Sequence, residues 1–131
     1  MKTIPADILP FIPTSQKYAL LEAMRGEESQ FFVEIFKELS QTIKTMPVSY
    51  QTDGQGDNAI VYLHFFIGSM DAYITELDVS GAPFNQCFGY ADFGYGGELG
   101  YISIQEWVDQ GAELDLHWEP KSLRDVKAEG N

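Results

Sequence analysis

Residues 59–78 read AIVYLHFFIGSMDAYITELD, and their composition predicts a β-hairpin. Residues 59–66 and 71–78 are rich in β-branched and aromatic side chains, which favour extended strands. Gly68 and Ser69 lie between the two runs and are typical of a tight turn. Strands joined by so short a connection pair in antiparallel fashion, because parallel strands need a long crossover.

The segments after this hairpin predict further strands with short links. Residues 80–83 and the glycine-rich residues 93–100 are typical of turns and loops. Ser103 is placed to cap a short helix over 104–110. Residues 51–58, with two glycines, predict a turn before the hairpin. The additional strands are predicted at 84–92, 101–103 and 112–118.

Two helices are predicted between the N-terminus and the hairpin. The first covers 16–25, with Thr14 or Ser15 as its cap and Gly26 as its stop. One side of it carries Tyr18, Leu21 and Met24. The second covers 28–45, and its apolar side chains recur at helical spacing, which predicts a core-facing stripe. That stripe consists of Phe32, Ile35, Phe36, Leu39, Ile43 and Met46.

These elements predict an α+β fold, with the N-terminal helix pair packed on one face of a mostly antiparallel sheet of four to five strands. A length of 131 residues fits a single domain. We divide it into an N-terminal strap (1–13), a helical part (14–46), an acidic sheet part (47–120) and a polar tail (121–131). The strap is irregular because it contains three prolines. Its expected core contacts are Ile4, Ile8, Leu9, Phe11 and Ile12.

The charge of the chain is concentrated in one block. Residues 45–120 contain twelve acidic side chains and no lysine or arginine, whereas the flanks contain eight acids and eight bases. The net charge of −12 therefore belongs to that block. Such a field disfavours direct binding to nucleic acid and to anionic membranes, and it favours basic partners.

Cysteine usage and hydropathy restrict the class of protein. Cys87 is the single cysteine, so an internal disulfide framework is excluded. The first residues, MKTIPADILPFIP, lack the continuous apolar run of a signal peptide. No stretch approaches the roughly 20 apolar residues that cross a bilayer. The expected location is the cytoplasm, with no membrane partner.

No residue pattern predicts catalysis. His64 lies inside an apolar strand and is expected to be a hydrogen-bonded sheet residue, and Cys87 has no basic neighbour that would activate its thiol. Residues 53–58 lack the ligand spacing of a calcium loop. We therefore expect no catalytic residue, no bound metal and no cofactor. The sequence favours a non-enzymatic protein over an enzyme.

The alternation in residues 112–118 offers three interpretations. Ala112, Leu114, Leu116 and Trp118 would point one way, and Glu113, Asp115, His117 and Glu119 the other. The face with the charged side chains is interpreted in three ways: as the solvent-exposed face of a half-buried strand, as an acidic stripe that recognises a partner, or as part of a metal site built on His117. Carboxylates two residues apart are about 6.6 Å apart, too far for neighbours alone to chelate an ion.

Residues 84–101 combine six aromatic side chains with five glycines. Such a segment forms either a corner of the core or a loop that contacts a partner, because aromatic rings supply large contact areas at low entropic cost. Stacking on nucleic acid is disfavoured, since no basic side chain lies nearby to hold phosphates.

Two segments carry a family resemblance. FGYADFGYGGELGYISIQEW (88–107) and AELDLHWEPKSL (112–123) resemble an uncharacterised domain family of plasmids, integrative elements and phages, also found fused in large polyvalent proteins. The likeness covers about residues 45–125 and is most specific at 98–103. It implies a role in an invading element, including interference with host defence, and it supplies no established catalytic residues.

The first functional hypothesis is a non-enzymatic, acidic protein-binding domain. It would inhibit host defence, in the manner of an anti-restriction or anti-CRISPR protein, by covering a basic nucleic-acid-binding surface. DNA carries a phosphate about every 3.4 Å per strand, whereas one strand face offers a carboxylate about every 6.6 Å, so acids from several elements must converge. The candidates are Asp71, Glu76, Asp78, Glu113, Asp115 and Glu119.

The alternative is an accessory or scaffold domain that binds its partner through the aromatic, glycine-rich loop. Its candidate contacts are Phe93, Tyr95, Glu98 and Tyr101. A metal-dependent enzyme that uses His64, His117 and carboxylates is the third hypothesis.

Overall fold

The structure of the protein is a computed structural model that describes residues 3–129. Residues 1–2 of the predicted strap and 130–131 of the predicted tail lie outside that range. None of the helices within it combines the length and apolar character needed to cross a membrane.

The N-terminal segment packs as predicted. Ile4, Ile8, Phe11 and Ile12 are buried, and a short 3-10 helix covers Leu9–Phe11. Leu9 is the exception, because its side chain is 36% exposed. The strap therefore contributes to the core before the first helix begins.

Helix α1 (Thr14–Ala23) and helix α2 (Ser29–Thr45) form the predicted pair. Thr14 and Ser15 lie within α1 and do not cap it, because Pro13 occupies the cap position. The side of α1 that carries Tyr18, Leu21 and Met24 faces the core only at Met24, because Tyr18 and Leu21 are exposed while Gln16 and Leu20 are buried. Helix α2 does bury its predicted stripe, with Phe36 and Leu39 at the centre.

The remaining chain forms two sheets and two short helices. The five-stranded antiparallel sheet has the order β5-β4-β3-β2-β6, and β1 pairs with β7 in a separate ribbon. The elements are β1 (Ile60–Val61), β2 (Leu63–Ile67), β3 (Met70–Glu76), β4 (Cys87–Asp92), β5 (Gly97–Ile102), α3 (Ile104–Asp109), β6 (Glu113–Leu114), β7 (Lys121–Ser122) and α4 (Leu123–Glu129). The α+β fold is confirmed, and the predicted hairpin is confirmed for β2 and β3. The first residues of the predicted strand 59–66 form β1 instead, which pairs with β7.

The two faces of the large sheet pack differently. The inner face, with Leu63, Phe65 and Ile74, joins the helix pair and the strap in the main core. The outer face carries Tyr73 and Tyr90, which pack with Trp118 against a smaller cluster. That cluster consists of Val61, Leu123 and Val126.

The predicted polar tail was wrong in part. Residues 121–129 form β7 and α4, and they bury Leu123 and Val126 over the outer face. The Ser122 hydroxyl accepts a hydrogen bond from the Asp125 backbone, and the Leu123 backbone donates to Ala59. These bonds fix the start of the segment, and Leu123 and Val126 pack it against the aromatic side chains of the outer face.

Three predicted strand boundaries were also wrong. The chain turns after Leu114, because the Asp115 carboxylate accepts the backbone N–H of His117, so the predicted strand 112–118 is only two residues long. The strand predicted from 84 begins at Cys87, since Asp78 holds residues 80–86 in a turn through the N–H groups of Ser80 and Gln86.

The third incorrect boundary is the start of β5, the strand that borders the candidate site described below. Residues 97–100 were predicted as loop, yet they belong to β5, which pairs with β4 along its full length of six residues. The loop between these strands is only residues 93–96. Gly94 (φ 103°) and Gly96 (φ 93°) adopt left-handed backbone conformations that glycine tolerates, which allows so tight a connection.

Candidate functional site

Strand β5 forms one edge of the large sheet and borders an open groove. Among the described residues it has β4 on one side and no strand on the other. The groove between β5 and α3 has a volume of about 560 Å³, within the range of small-ligand and peptide-anchoring sites. Its main lining residues are Phe93, Tyr95, Glu98, Gly100, Glu106 and Trp107.

The aromatic walls come from the tight loop and from α3. The Asp92 carboxylate accepts the Gly94 N–H at 2.8 Å and fixes the start of the loop. The Phe93 ring lies 5.7 Å from the Trp107 ring, and Phe93 remains 54% exposed. Tyr95 is 95% exposed. The groove thus offers large rings that the fold itself does not bury.

Helix α3 is held in place by the residue predicted to cap it. The Ser103 hydroxyl accepts the backbone N–H of Glu106 at 3.2 Å and donates to the Asn85 side chain at 3.0 Å. Ile104 is fully buried and anchors the helix in the main core. The position of α3 is therefore fixed, and this helix directs Trp107 and Glu106 toward the groove.

The groove is negatively charged. Glu98 and Glu106 line it, and no lysine or arginine is among its lining residues within the described range. No described residue forms a hydrogen bond or ion pair with either carboxylate. Both charges are exposed to solvent and are free to interact with a cation.

Gly100 leaves the floor of the groove open. A Cβ atom built at this position meets no atom within 4 Å, and its backbone is not in the left-handed region. By contrast, a Cβ at Gly89, its partner on β4, would lie 2.0 Å from the Tyr73 carbonyl oxygen. The fold therefore requires glycine at position 89, where a side chain would clash with the backbone. At position 100 a side chain would fit, and its absence leaves open space in the groove beside β5.

The other side of β5 has a different character. Leu99 is 42% exposed and Tyr101 is 65% exposed. The Tyr101 ring packs edge-on against Phe88 at 5.7 Å, and a hydrogen bond with Tyr50 raises the pKa of the Tyr101 phenol. An exposed apolar strip therefore runs along the edge opposite the acidic groove.

The structure brings together all four residues of the predicted aromatic contact. Phe93, Tyr95, Glu98 and Tyr101 are all among the residues that line the groove, although the Tyr101 ring itself packs against Phe88 on the opposite side of β5. Sequence reasoning missed Glu106 and Trp107, which approach from α3. It also missed that residues 97–100 form an edge strand, although the alternation of Glu98 and Gly100 with Leu99 and Tyr101 was a signal for it.

The six predicted acidic contacts do not share one surface. Glu76 is 4% exposed, and its carboxylate accepts hydrogen bonds from the backbones of Tyr50 and Thr52 and from the Thr52 hydroxyl. Tyr50 lies at φ 72°, an unfavourable conformation for a residue with a side chain, so Glu76 stabilises a strained turn. Asp78 likewise serves the neighbouring turn, and its backbone hydrogen bonds, that from Ser80 first, lower the pKa of its carboxyl.

Asp71 and Asp115 belong to a closed cluster around His64. The His64 ring nitrogens lie 2.8 Å from the Asp71 carboxylate and 2.9 Å from the Asp115 carboxylate. Tyr73 stacks on the imidazole with ring centroids 4.7 Å apart, and Trp118 lies 5.1 Å away. Burial, together with the nearby acids, raises the pKa of Tyr73 to about 12.

The other two acids lie outside this cluster. Glu113 and Glu119 are exposed, and neither has a hydrogen-bonded side chain among the described residues. Asp71 and Glu76 occupy opposite ends of β3, which separates them by about 16 Å. The acids are thus divided between internal hydrogen bonds and separate exposed positions.

The remaining side chains that could act in catalysis or bind a metal are buried or in contact with other residues of the fold. Cys87 is fully buried, and burial raises the pKa of its thiol to about 12. Both His64 nitrogens are engaged, and the His117 ring stacks on Phe31 at 6.0 Å. Within residues 3–129, no group of three or more His, Cys, Asp or Glu side chains is arranged to hold a metal ion.

Comparison of the chain with models of known protein families, with curated proteins and with solved structures finds no match.

Proposed function

We propose that the protein is a non-enzymatic binding domain that captures an extended segment of a protein partner along strand β5. The observation that carries this proposal is the convergence of unburied aromatic rings and unpaired carboxylates on a groove beside an open sheet edge.

Strand addition explains why the edge and the groove occur together. An extended peptide that pairs with an exposed strand gains main-chain hydrogen bonds, and adjacent pockets select its alternate side chains. Strand β5 is six residues long, which corresponds to about 20 Å of extended chain. A partner segment of similar length would satisfy the edge and place side chains in the groove.

The aromatic rings would supply the binding energy. Interface hot spots are enriched in tyrosine and tryptophan that become buried in a pocket at the centre of the contact. Tyr95, at 95% exposure, has almost its whole side chain available for such burial. Phe93 and Trp107 already pack together and provide a preorganised wall.

The family resemblance bears on where this partner would be found. A domain of plasmids, integrative elements and phages meets host proteins inside the cell that it enters. An inhibitor of host defence is then the special case in which the captured segment belongs to a defence protein. The spread of the acids named above does not support imitation of a continuous DNA backbone, so the groove is the better candidate.

Site-specific photo-crosslinking tests the proposal. A photoreactive phenylalanine analogue replaces Tyr95 in the groove or, as the matched control, Tyr18, which is 69% exposed on α1. In a lysate of the source cell, position 95 should crosslink to one partner, at a single extended segment. The crosslink should disappear in a Gly100→Val variant, since the new side chain fills the groove.

Equal crosslinking from positions 95 and 18 would contradict the proposal, as would a crosslink at position 95 that survives Gly100→Val. Either result would show that the partner contacts the protein without using the groove. Circular dichroism of each variant confirms that the fold is intact.

A further inference from the structure

The two sides of β5 present different chemistry to an added strand, and this difference defines the partner. We infer that the captured segment alternates cationic and apolar residues, with lysine or arginine toward the groove and aliphatic side chains toward the opposite side. This inference rests on the proposed function, because it assumes that the segment pairs with β5 as an extended strand.

The groove side selects a cation. Successive residues of a strand point to opposite faces, so Glu98 and Gly100 point to the groove side while Leu99 and Tyr101 point away from it. A lysine or arginine beside Gly100 would enter open space bordered by the carboxylates of Glu98 and Glu106. The faces of Phe93 and Trp107 add cation–π attraction in the same groove.

The opposite side selects apolar residues. Leu99 and Tyr101 are exposed along this side, and Phe88 lies behind Tyr101 on the neighbouring strand. Valine or isoleucine on the added strand would form cross-strand pairs with these side chains, and such aromatic and β-branched pairs stabilise sheets.

The surrounding charge reinforces the selection. The groove belongs to the block of residues 45–120 that contains no lysine or arginine, within a chain of net charge −12. A field of one sign accelerates the approach of cationic segments and repels acidic ones. The alternation also restricts the register of the bound segment, because a shift of one residue would place each side chain on the wrong face.

Synthetic peptides test this inference against the full-length protein. The first peptide contains KVRVKV between short Gly-Ser flanks, the second rearranges the same residues as KKRVVV, and the third replaces the cations to give EVEVEV. Affinities are measured by fluorescence anisotropy at near-physiological salt. The alternating cationic peptide should bind at least about tenfold more tightly than either of the others.

Protein variants locate the binding. A Glu98→Gln, Glu106→Gln double variant should weaken the alternating peptide about tenfold. A Glu113→Gln, Glu119→Gln double variant removes the same charge from exposed positions away from the groove, and it should change the affinity less than about twofold. Equal loss in the two variants would overturn the inference, because general attraction to a negative protein would then explain binding.

Two further results separate the inference from the proposed function. If EVEVEV binds as well as KVRVKV, the cationic preference is overturned while strand addition stands. A version of KVRVKV that is N-methylated at alternate residues cannot donate edge hydrogen bonds through those amides. Strand addition predicts that methylation weakens binding in the one alternate register whose amides face β5. If methylation leaves the affinity unchanged in both registers, strand addition itself is contradicted.

Discussion

The two edges of the five-stranded sheet end in opposite ways. At β6 the side-chain amide of Gln16 acts as a substitute strand, donating to the Leu114 carbonyl at 2.8 Å and accepting the Leu114 N–H at 2.9 Å. At β5 six residues have no such cover among the described part of the chain. Natural proteins usually protect exposed edges, and the uncovered edge of β5 is the one that the proposed strand addition would use.

The His64 cluster near β6 and the groove carboxylates near β5 repeat this contrast, although the Glu113 side chain of β6 is itself exposed and has no hydrogen-bonded partner among the described residues. Beside β6, Asp115 and Asp71 are both bonded to His64, and the Asp115 backbone also donates to the His64 carbonyl. Beside β5, the carboxylates of Glu98 and Glu106 have no partner among the described residues. A group that is satisfied internally stabilises the fold, whereas an unsatisfied, exposed group is available to another molecule.

Removing the Gln16 side chain that covers the edge of β6 should cause the largest loss of stability. Gln16→Ala removes two hydrogen bonds and leaves the N–H and C=O of Leu114, itself 1% exposed, without partners. We expect a loss of about 3 kcal/mol in the free energy of unfolding, measured by urea denaturation. Gln105→Ala, on α3 beside the open edge, is the control and should cost less than about 0.5 kcal/mol, because its bond to Asp109 is exposed.

Replacing His64 in the closed cluster should cause the second largest loss of stability. His64→Ala leaves two partly buried carboxylates facing each other and removes the stacking with Tyr73. Because both carboxylates retain some access to water, we expect a loss of about 2 kcal/mol in unfolding free energy. His117→Ala serves as the comparison, since that ring is exposed. Equal losses in the two variants would contradict the distinction between cluster and surface.

Alkaline pH should loosen the closed cluster by a smaller amount. The pKa of Tyr73 is raised to about 12 in the folded protein, against about 10 in an unfolded chain. Folding therefore favours the protonated phenol, and this stability is fully present below pH 10 and is lost as the pH rises toward 12. Urea midpoints across that range should fall less steeply for Tyr73→Phe than for the natural protein.

Filling the open edge should have the smallest effect on stability. Gly100→Val places its Cβ where no atom lies within 4 Å, and valine favours a strand more than glycine does. We expect an unfolding free energy unchanged or raised by up to about 1 kcal/mol, while partner binding is lost. Gly89→Ala is the contrasting substitution at the paired position, where contact with the Tyr73 carbonyl should destabilise the sheet.

The general architecture was predictable because it depends on local patterns. The apolar repeat of α2 and the composition of residues 59–78 each specify one type of element. Helix α4 was missed although Ser122, Leu123 and Val126 already formed a cap followed by an apolar pair at helical spacing. The early end of β6 depended on one side-chain bond, from Asp115 to the His117 backbone, which competes with strand pairing.

The groove was only half predictable. Phe93, Tyr95, Glu98 and Tyr101 were recognisable as a contact segment because they are neighbours in sequence. Trp107 joins Phe93 only when α3 packs against the inner face, and sequence spacing does not encode that approach. The same limit explains Glu76, whose burial depends on the turn at Tyr50 and Thr52, more than twenty residues away.

The open edge also bears on how the protein behaves at high concentration. A free strand can also pair with the same strand of another copy. Each copy carries a net charge of −12, which keeps copies apart at low ionic strength. The screening length falls from about 10 Å at 0.1 M salt to about 3 Å at 1 M. Added salt should therefore promote self-association while weakening capture of a cationic segment, so solubility and recognition depend on the same charge.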